Sequence, residues 1–134
     1  MSMTVSARQE MKSGKTKRVG LWTFIGFLSV AFVLSGTMKF VKPEVAEQFA
    51  RWGFADWFRV LIGLTEIAGG LALLAPRTTF YAAGALSVVM IGAVGTHLVH
   101  AQAAHAVAPL VLLGLLLTAG YARRPVKRVP PAHD

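Results

Sequence analysis

The sequence contains no cysteine and few acidic side chains, and these absences exclude several functions. Without cysteine, this chain alone cannot exchange disulfides, ligate an iron–sulfur cluster or use a thiolate nucleophile. Only 6 residues are Asp or Glu, and charged residues make up 15% of the 134, less than in an ordinary soluble domain. The sequence also has no phosphate-binding glycine loop, nucleophile elbow or metalloprotease signature. Nothing therefore indicates the chemistry of a soluble enzyme.

Long apolar runs dominate the chain instead. Hydrophobic residues make up 54% of the sequence, and the mean hydropathy is +0.56. Four runs approach the roughly 20 residues that cross a bilayer, at about 20–41, 57–75, 79–100 and 106–122. We therefore predict an all-α integral membrane protein that forms an antiparallel four-helix bundle. Basic tails at 1–19 and 123–134 flank this domain, and we expect residues 1–18 and 125–134 to be disordered.

Positive charge is concentrated at the two ends of the chain, which has a net charge of +8. The cations that flank the apolar region are Arg8, Lys12, Lys15, Lys17 and Arg18 before the first run, and Arg123, Arg124, Lys127 and Arg128 after the last. The loop at 42–56 instead mixes acidic and basic residues. The positive-inside rule then places both termini in the cytoplasm, where anionic lipid headgroups are the expected partners. No aromatic base-reading module accompanies these cations, so we predict no nucleic-acid binding.

The loop at 42–56 has the features of a short helix. Pro43 suits a helix start, Glu44 and Glu47 suit its first turn, and Gly53 suits its end. Aromatic residues follow at Trp52 and beyond, as at a membrane interface. The segment is either an anchoring belt on the outer leaflet or a lid over the bundle.

Glu66 is the most informative polar residue, because the run from Trp57 to Ala75 has Arg59 as its only other charge. A charged group at the bilayer centre costs roughly 2.5–3.5 kcal/mol on insertion scales. Gly63 and Gly70 share its helical face, and small residues allow helices to approach closely. We therefore expect Glu66 to face the protein interior, either as a proton or ligand site or in a structural hydrogen bond or ion pair.

Three further candidates, Lys39, Arg59 and His97, lie on the predicted outer side. A lysine within one turn of the end of a span commonly extends to the headgroups, so Lys39 must reach inward to contact Glu66. Arg59 lies about 10 Å from Glu66 along one helix, which favours a water-mediated contact. His97 and His100 share one face of one helix, whereas haem ligation between helices needs opposing histidines. We predict no metal site, and either a hydrogen-bonded histidine or a proton or quinone contact at His97.

Three short motifs resemble a known family in their order and spacing. They are GTMKF at 36–40, GLTEIAGG at 63–70 and GTH at 95–97, and together they resemble the DoxX-like family of small four-helix membrane proteins over about residues 20–122. The resemblance implies a bacterial inner-membrane protein of a family named after a subunit associated with quinol oxidase and thiosulfate:quinone oxidoreductase systems. It also implies that Lys39, Glu66 and His97 form a polar cluster in the outer half of the bundle, at a quinone or partner-subunit site.

Three functions fit these features. The first is an accessory or quinone-interacting subunit of a membrane redox system, with Glu66 as proton acceptor or quinone hydrogen-bonding group. The second is a small proton-coupled exporter, although the essential glutamate of small-multidrug-resistance proteins is in their first helix. The third is a structural membrane subunit without catalysis. We predict no catalytic residue and no independent activity, so any redox centre would belong to a partner protein. Gly-x-x-x-Thr motifs at 92–96 and 114–118 are compatible with self-association.

Overall fold

The computed structural model of the protein describes residues 2–125, and within that range every regular element is a helix. The five helices are α1 (Ser2–Val41), α2 (Pro43–Arg51), α3 (Asp56–Leu73), α4 (Thr79–Val99) and α5 (Ala103–Ala122). The all-α prediction is confirmed for this part of the chain. The short helix predicted after Pro43 is also present, as α2.

Helix α1 is much longer than the predicted first span. It begins at Ser2 and spans 40 residues, so the predicted disorder of residues 1–18 is wrong for 2–18. This segment is rich in good helix formers such as Arg, Lys, Gln and Met, and its residues from Thr4 to Gly20 are exposed. Of the predicted disordered segment 125–134, residues 126–134 lie outside the described residues.

Among residues 2–125, three helical stretches are long and apolar enough to cross a membrane: Thr4–Val41, Thr79–Val99 and Ala103–Ala122. Each of the three carries large apolar side chains on its outward face, with Phe27 62%, Val88 70% and Leu117 59% exposed. Such a surface suits acyl chains rather than water. The chain is therefore a membrane protein. Helix α3 differs from these three because Asp56, Arg59 and Glu66 fall within its 18 residues.

The long helices pack as two pairs, α1 with α3 and α4 with α5, and α3 contacts α4 between the pairs. Helix α5 also touches α1, and α2 rests against α1 and α3. The core between them is apolar, and its most buried large side chains are Ile25, Leu28, Phe32, Leu73, Leu86 and Leu116.

Two glycines bring α1 and α3 into close contact. A Cβ on Gly36 would lie 2.6 Å from the Gly63 carbonyl oxygen and 2.7 Å from Ile67 Cγ1. A Cβ on Gly63 would lie 2.7 Å from Phe40 Cε2. Any larger residue at either position must move a helix or a ring. This contact places the α3 residue Glu66 directly against the last turns of α1.

Candidate functional site

Glu66 is paired with two side chains of α1. Lys39 Nζ donates a hydrogen bond to Glu66 Oε2 at 2.7 Å, and Ser35 Oγ donates to the same oxygen at 3.2 Å. Lys39 Nζ also lies 3.3 Å from Ser35 Oγ, which closes a triangle of three polar groups. The burial of Glu66, which is 2% exposed, agrees with the prediction that it faces the interior.

Lys39 does not behave as an interfacial lysine. Its side chain is 14% exposed and turns inward to Glu66, so the preference for an extension to the headgroups is wrong. Residues 35 and 39 are one helical turn apart on the same face. The close approach at Gly36, between them, brings the α3 carboxylate within reach of both. The inward direction therefore follows from the pairing of the helices, which the α1 sequence alone does not reveal.

Arg59 serves a different part of the structure from Glu66. Its guanidinium pairs with Asp56 at 2.7 Å and donates a hydrogen bond to the backbone carbonyl of Lys39. Four residues after Lys39 comes Pro43, which has no N–H, so this carbonyl lacks the usual intrahelical donor. Arg59 supplies the missing donor and joins the start of α3 to the end of α1. It stands behind the Lys39 backbone rather than in contact with the carboxylate.

A cavity of about 540 Å³ opens beside the Lys39–Glu66 pair. Its walls come from α1, α2, α3 and α4 and are mainly apolar and aromatic. Polar groups are contributed by the Lys39–Ser35–Glu66 triangle, by Gln48 of α2 and by Thr96 and His97 of α4. Exposed apolar side chains, Met38 and Val88, also line it. The cavity thus joins an apolar interior to a small number of hydrogen-bonding groups, which is the usual composition of a small-molecule site.

Helix α2 and the turn after it build the aromatic wall. Gly53 has φ +83°, and the amides of Gly53 and Phe54 donate to the carbonyls of Ala50 and Phe49. This is a Schellman termination, in which a left-handed residue reverses the chain and the flanking apolar side chains meet. Here Phe54 packs on Phe49 with ring centroids 5.9 Å apart, and Phe58 stacks on Phe54 at 4.9 Å.

His97 is on the far wall of the cavity from α1. Its Nδ1 lies 3.1 Å from Gln102 Oε1, and its ring meets Trp52 edge to face with centroids 5.3 Å apart. Gln102 reaches His97 because α4 ends in a second Schellman turn, in which Ala101 has φ 57° and the Gln102 amide donates to the His97 carbonyl at 2.8 Å. The His97 ring is thus held between the Trp52 ring and the side-chain amide of Gln102.

The structure therefore brings three of the four predicted site residues to one cavity and leaves the fourth outside it. Lys39, Glu66 and His97 all line one cavity, whereas Arg59 supports it from behind. Sequence reasoning missed Gln102, because the chain reverses between it and His97 and helical spacing gives no signal across a turn. Ser35 was not among the predicted site residues. No group of three or more His, Cys, Asp or Glu suited to a metal ion occurs among residues 2–125.

The chain matches a known protein family over most of its length. A model of the DoxX-like family matches residues 23–119, which is most of the chain. The chain belongs to the DoxX-like family. The match includes all three cavity candidates and the aromatic wall of this DoxX-like protein, and it leaves out the exposed start of α1. No curated protein and no solved structure matches the chain.

Proposed function

We propose that this DoxX-like protein is an accessory subunit of a membrane redox system in the bacterial inner membrane, and that it binds a quinone in the cavity beside Glu66. The observation that carries the proposal is the cavity wall, which combines aromatic rings with one buried polar triangle. A quinone has the matching chemistry, with an apolar ring and two carbonyl oxygens that accept hydrogen bonds. Lys39 directs two of its three ammonium hydrogens to Glu66 and Ser35, so the third can be donated to a quinone oxygen. His97 lines the same cavity from α4.

The size and the border of the cavity support the same ligand class. Its volume of about 540 Å³ falls within the roughly 300–1,000 Å³ of small-molecule sites. Met38 and Val88 are 43% and 70% exposed, so the cavity is bordered by side chains that face the acyl chains. An apolar ligand can enter from the bilayer on this side, and an isoprenoid tail can remain in the lipid while the ring lies inside.

We extend the proposal to the topology, with α3 as a fourth span and both termini in the cytoplasm. Helix α3 has 18 residues, or roughly 27 Å by helical rise, and Asp56 and Arg59 fall in its first turn, where an interface would lie. Lys17, Arg18 and Arg123 meet at the end of the molecule that also holds Pro76. This gathering of cations, away from the loop at 42–56 in which acidic and basic residues are mixed, supports the positive-inside assignment.

The chain's own residues bind and orient the ligand in this proposal and carry out no redox step. The redox centre belongs to a partner protein, since this chain has no cysteine. The residues that line the cavity are suited to hydrogen bonding rather than to electron transfer. The partner, and the self-association suggested by the Gly-x-x-x-Thr motifs, stay predictions.

The test is extraction of bound quinone from protein purified in mild detergent, followed by mass spectrometry. The decisive variant is Lys39→Met combined with Glu66→Gln, which removes the ion pair without leaving an unpaired charge. Thr65→Val is the matched control, because Thr65 is the neighbour of Glu66 but its hydroxyl donates to the Leu61 carbonyl of its own helix. We expect quinone with the wild type and with Thr65→Val, and loss of most of it with the double variant.

A second readout separates lost binding from lost folding. Added short-chain quinone should raise the melting temperature of the wild type and of Thr65→Val but not of a folded double variant. A wild type that holds no quinone and shows no shift would exclude the proposal. Equal quinone in all three proteins would assign the quinone to bulk lipid and exclude the cavity as its site.

A further inference from the structure

A second pocket lies beside the middle of α1, where Trp22 is roughly 25 Å along the helix from Lys39 by helical rise. It is open and has a volume of about 430 Å³. Three cations, Lys17, Arg18 and Arg123, line it together with apolar residues that include Leu21 and Trp22. No acidic side chain is among its described lining residues. The pocket therefore brings positive charge from the middle of α1 and the end of α5 to one place, without a counter-charge among its described lining residues.

Arg123 is held in this pocket with part of its hydrogen-bonding capacity unused. Its guanidinium lies over the Trp22 ring, with Cζ 4.7 Å from the ring centroid. Its Nη1 is buried and has no hydrogen-bond partner among the described residues. A buried N–H of a charged group normally has a partner, because leaving it unpaired costs free energy. The planar guanidinium, oriented by the indole, is suited to two oxygens of one anion.

We propose that this pocket binds the phosphate of an anionic glycerophospholipid headgroup. Arg123 donates to the phosphate oxygens, and Lys17 and Arg18 supply the surrounding positive potential. The Trp22 side chain is 41% exposed at the start of the apolar part of α1, the depth at which tryptophan accompanies headgroups. Exposed apolar side chains continue along α1 at Phe27 and Val30 and offer a surface for acyl chains. A free phosphate ion would use the cations but not this adjoining apolar surface.

Arg124 provides a control with the same charge and a neighbouring position. Its guanidinium lies 3.8 Å over the Tyr121 ring and donates to the Tyr121 carbonyl at 2.9 Å, and it does not line the pocket. Arg123→Gln and Arg124→Gln thus remove one positive charge each from the same end of the protein. Only Arg123→Gln removes the side chain that is proposed to bind the phosphate.

The experiment measures lipid binding to the full chain in detergent by native mass spectrometry and by thermal shift, with phosphatidylglycerol and phosphatidylcholine as probes. We expect the wild type and Arg124→Gln to prefer phosphatidylglycerol by roughly tenfold, and Arg123→Gln to lose most of that preference. Equal losses in the two variants would indicate general charge attraction and overturn the proposal, as would a wild type without preference. Inorganic phosphate and glycerol 3-phosphate form a further arm. If either stabilises the wild type as strongly as phosphatidylglycerol, the site takes free phosphate and the lipid assignment is wrong.

Discussion

Lys39 Nζ of α1 lies 2.7 Å from Glu66 Oε2 of α3, in a site where the carboxylate is 2% exposed. This ion pair lies beside the close α1–α3 contact at Gly36 and Gly63, and both of its residues line the cavity of about 540 Å³. A buried pair of this kind adds little net stability compared with apolar residues, because both charges lose hydration. The proposal of a binding role therefore rests on the position of the pair beside the cavity and not on its contribution to packing.

The two members of the pair should respond differently to substitution. We expect Lys39→Met to lower the melting temperature in detergent more than Glu66→Gln, because it leaves a carboxylate buried with only Ser35 as a partner. The amide of Glu66→Gln still accepts from Lys39, and the lysine is partly exposed. Combined in one protein, the changes should cost less than their sum, with a coupling of roughly 0.5–3 kcal/mol. Additive effects would mean that the pair is not formed in the membrane protein.

The helix contact that positions the pair should not tolerate a methyl group. In Gly36→Ala the new Cβ would lie 2.6 Å from the Gly63 carbonyl oxygen, and backbone cannot yield as a flexible side chain does. We expect a loss of about 1–3 kcal/mol, as for other overpacked interiors, seen as a lower melting temperature. Gly26→Ala is the control in the same helix, since nothing lies within 4 Å of its Cβ position. A similar loss in both variants would trace the effect to lipid contact instead, because alanine has a higher helix propensity than glycine and cannot lower stability in that way.

The site was predictable from the sequence to the extent that it depends on spacing within one helix. The glycines on the Glu66 face indicated an inward carboxylate, and Pro43 and Gly53 indicated α2. The direction of Lys39 depends on which helix packs against α1, and the Gln102–His97 contact depends on a chain reversal. Neither has a periodic signal. The helical state of residues 2–18 was missed because their polarity and charge were taken to favour disorder over their helix propensity.

The turn that brings Gln102 to His97 contains Ala101, and we expect glycine at this position to stabilise the protein. Ala101 adopts φ 57°, a left-handed conformation in which a Cβ costs roughly 1–2 kcal/mol. We expect Ala101→Gly to raise thermal stability by about 1 kcal/mol, after the added flexibility of the unfolded chain is subtracted. Ala104→Gly, in the first turn of α5, should instead lower stability by roughly 0.5–1 kcal/mol. A loss of stability at position 101 as large as that at 104 would show that the turn is not left-handed.

Arg59 offers the means to separate a structural cation from the cavity residues. Its two partners differ in burial, since Asp56 is 77% exposed whereas the Lys39 carbonyl lies at the helix contact. This carbonyl has no intrahelical donor, because the residue four positions later is Pro43, which has no N–H. An exposed ion pair contributes about 0–1 kcal/mol, so Asp56→Asn should change the melting temperature little.

Arg59→Met removes the donor to a carbonyl that has no intrahelical substitute, and we expect it to cost roughly 1–3 kcal/mol. The cavity contacts of Glu66 do not involve Arg59, so ligand binding per folded molecule should be kept, unlike in the Lys39 and Glu66 double variant. Equal losses of melting temperature in Asp56→Asn and Arg59→Met would mean that Arg59 stabilises the protein through its ion pair with Asp56. Loss of quinone binding by folded Arg59→Met would instead show that Arg59 contributes to ligand binding.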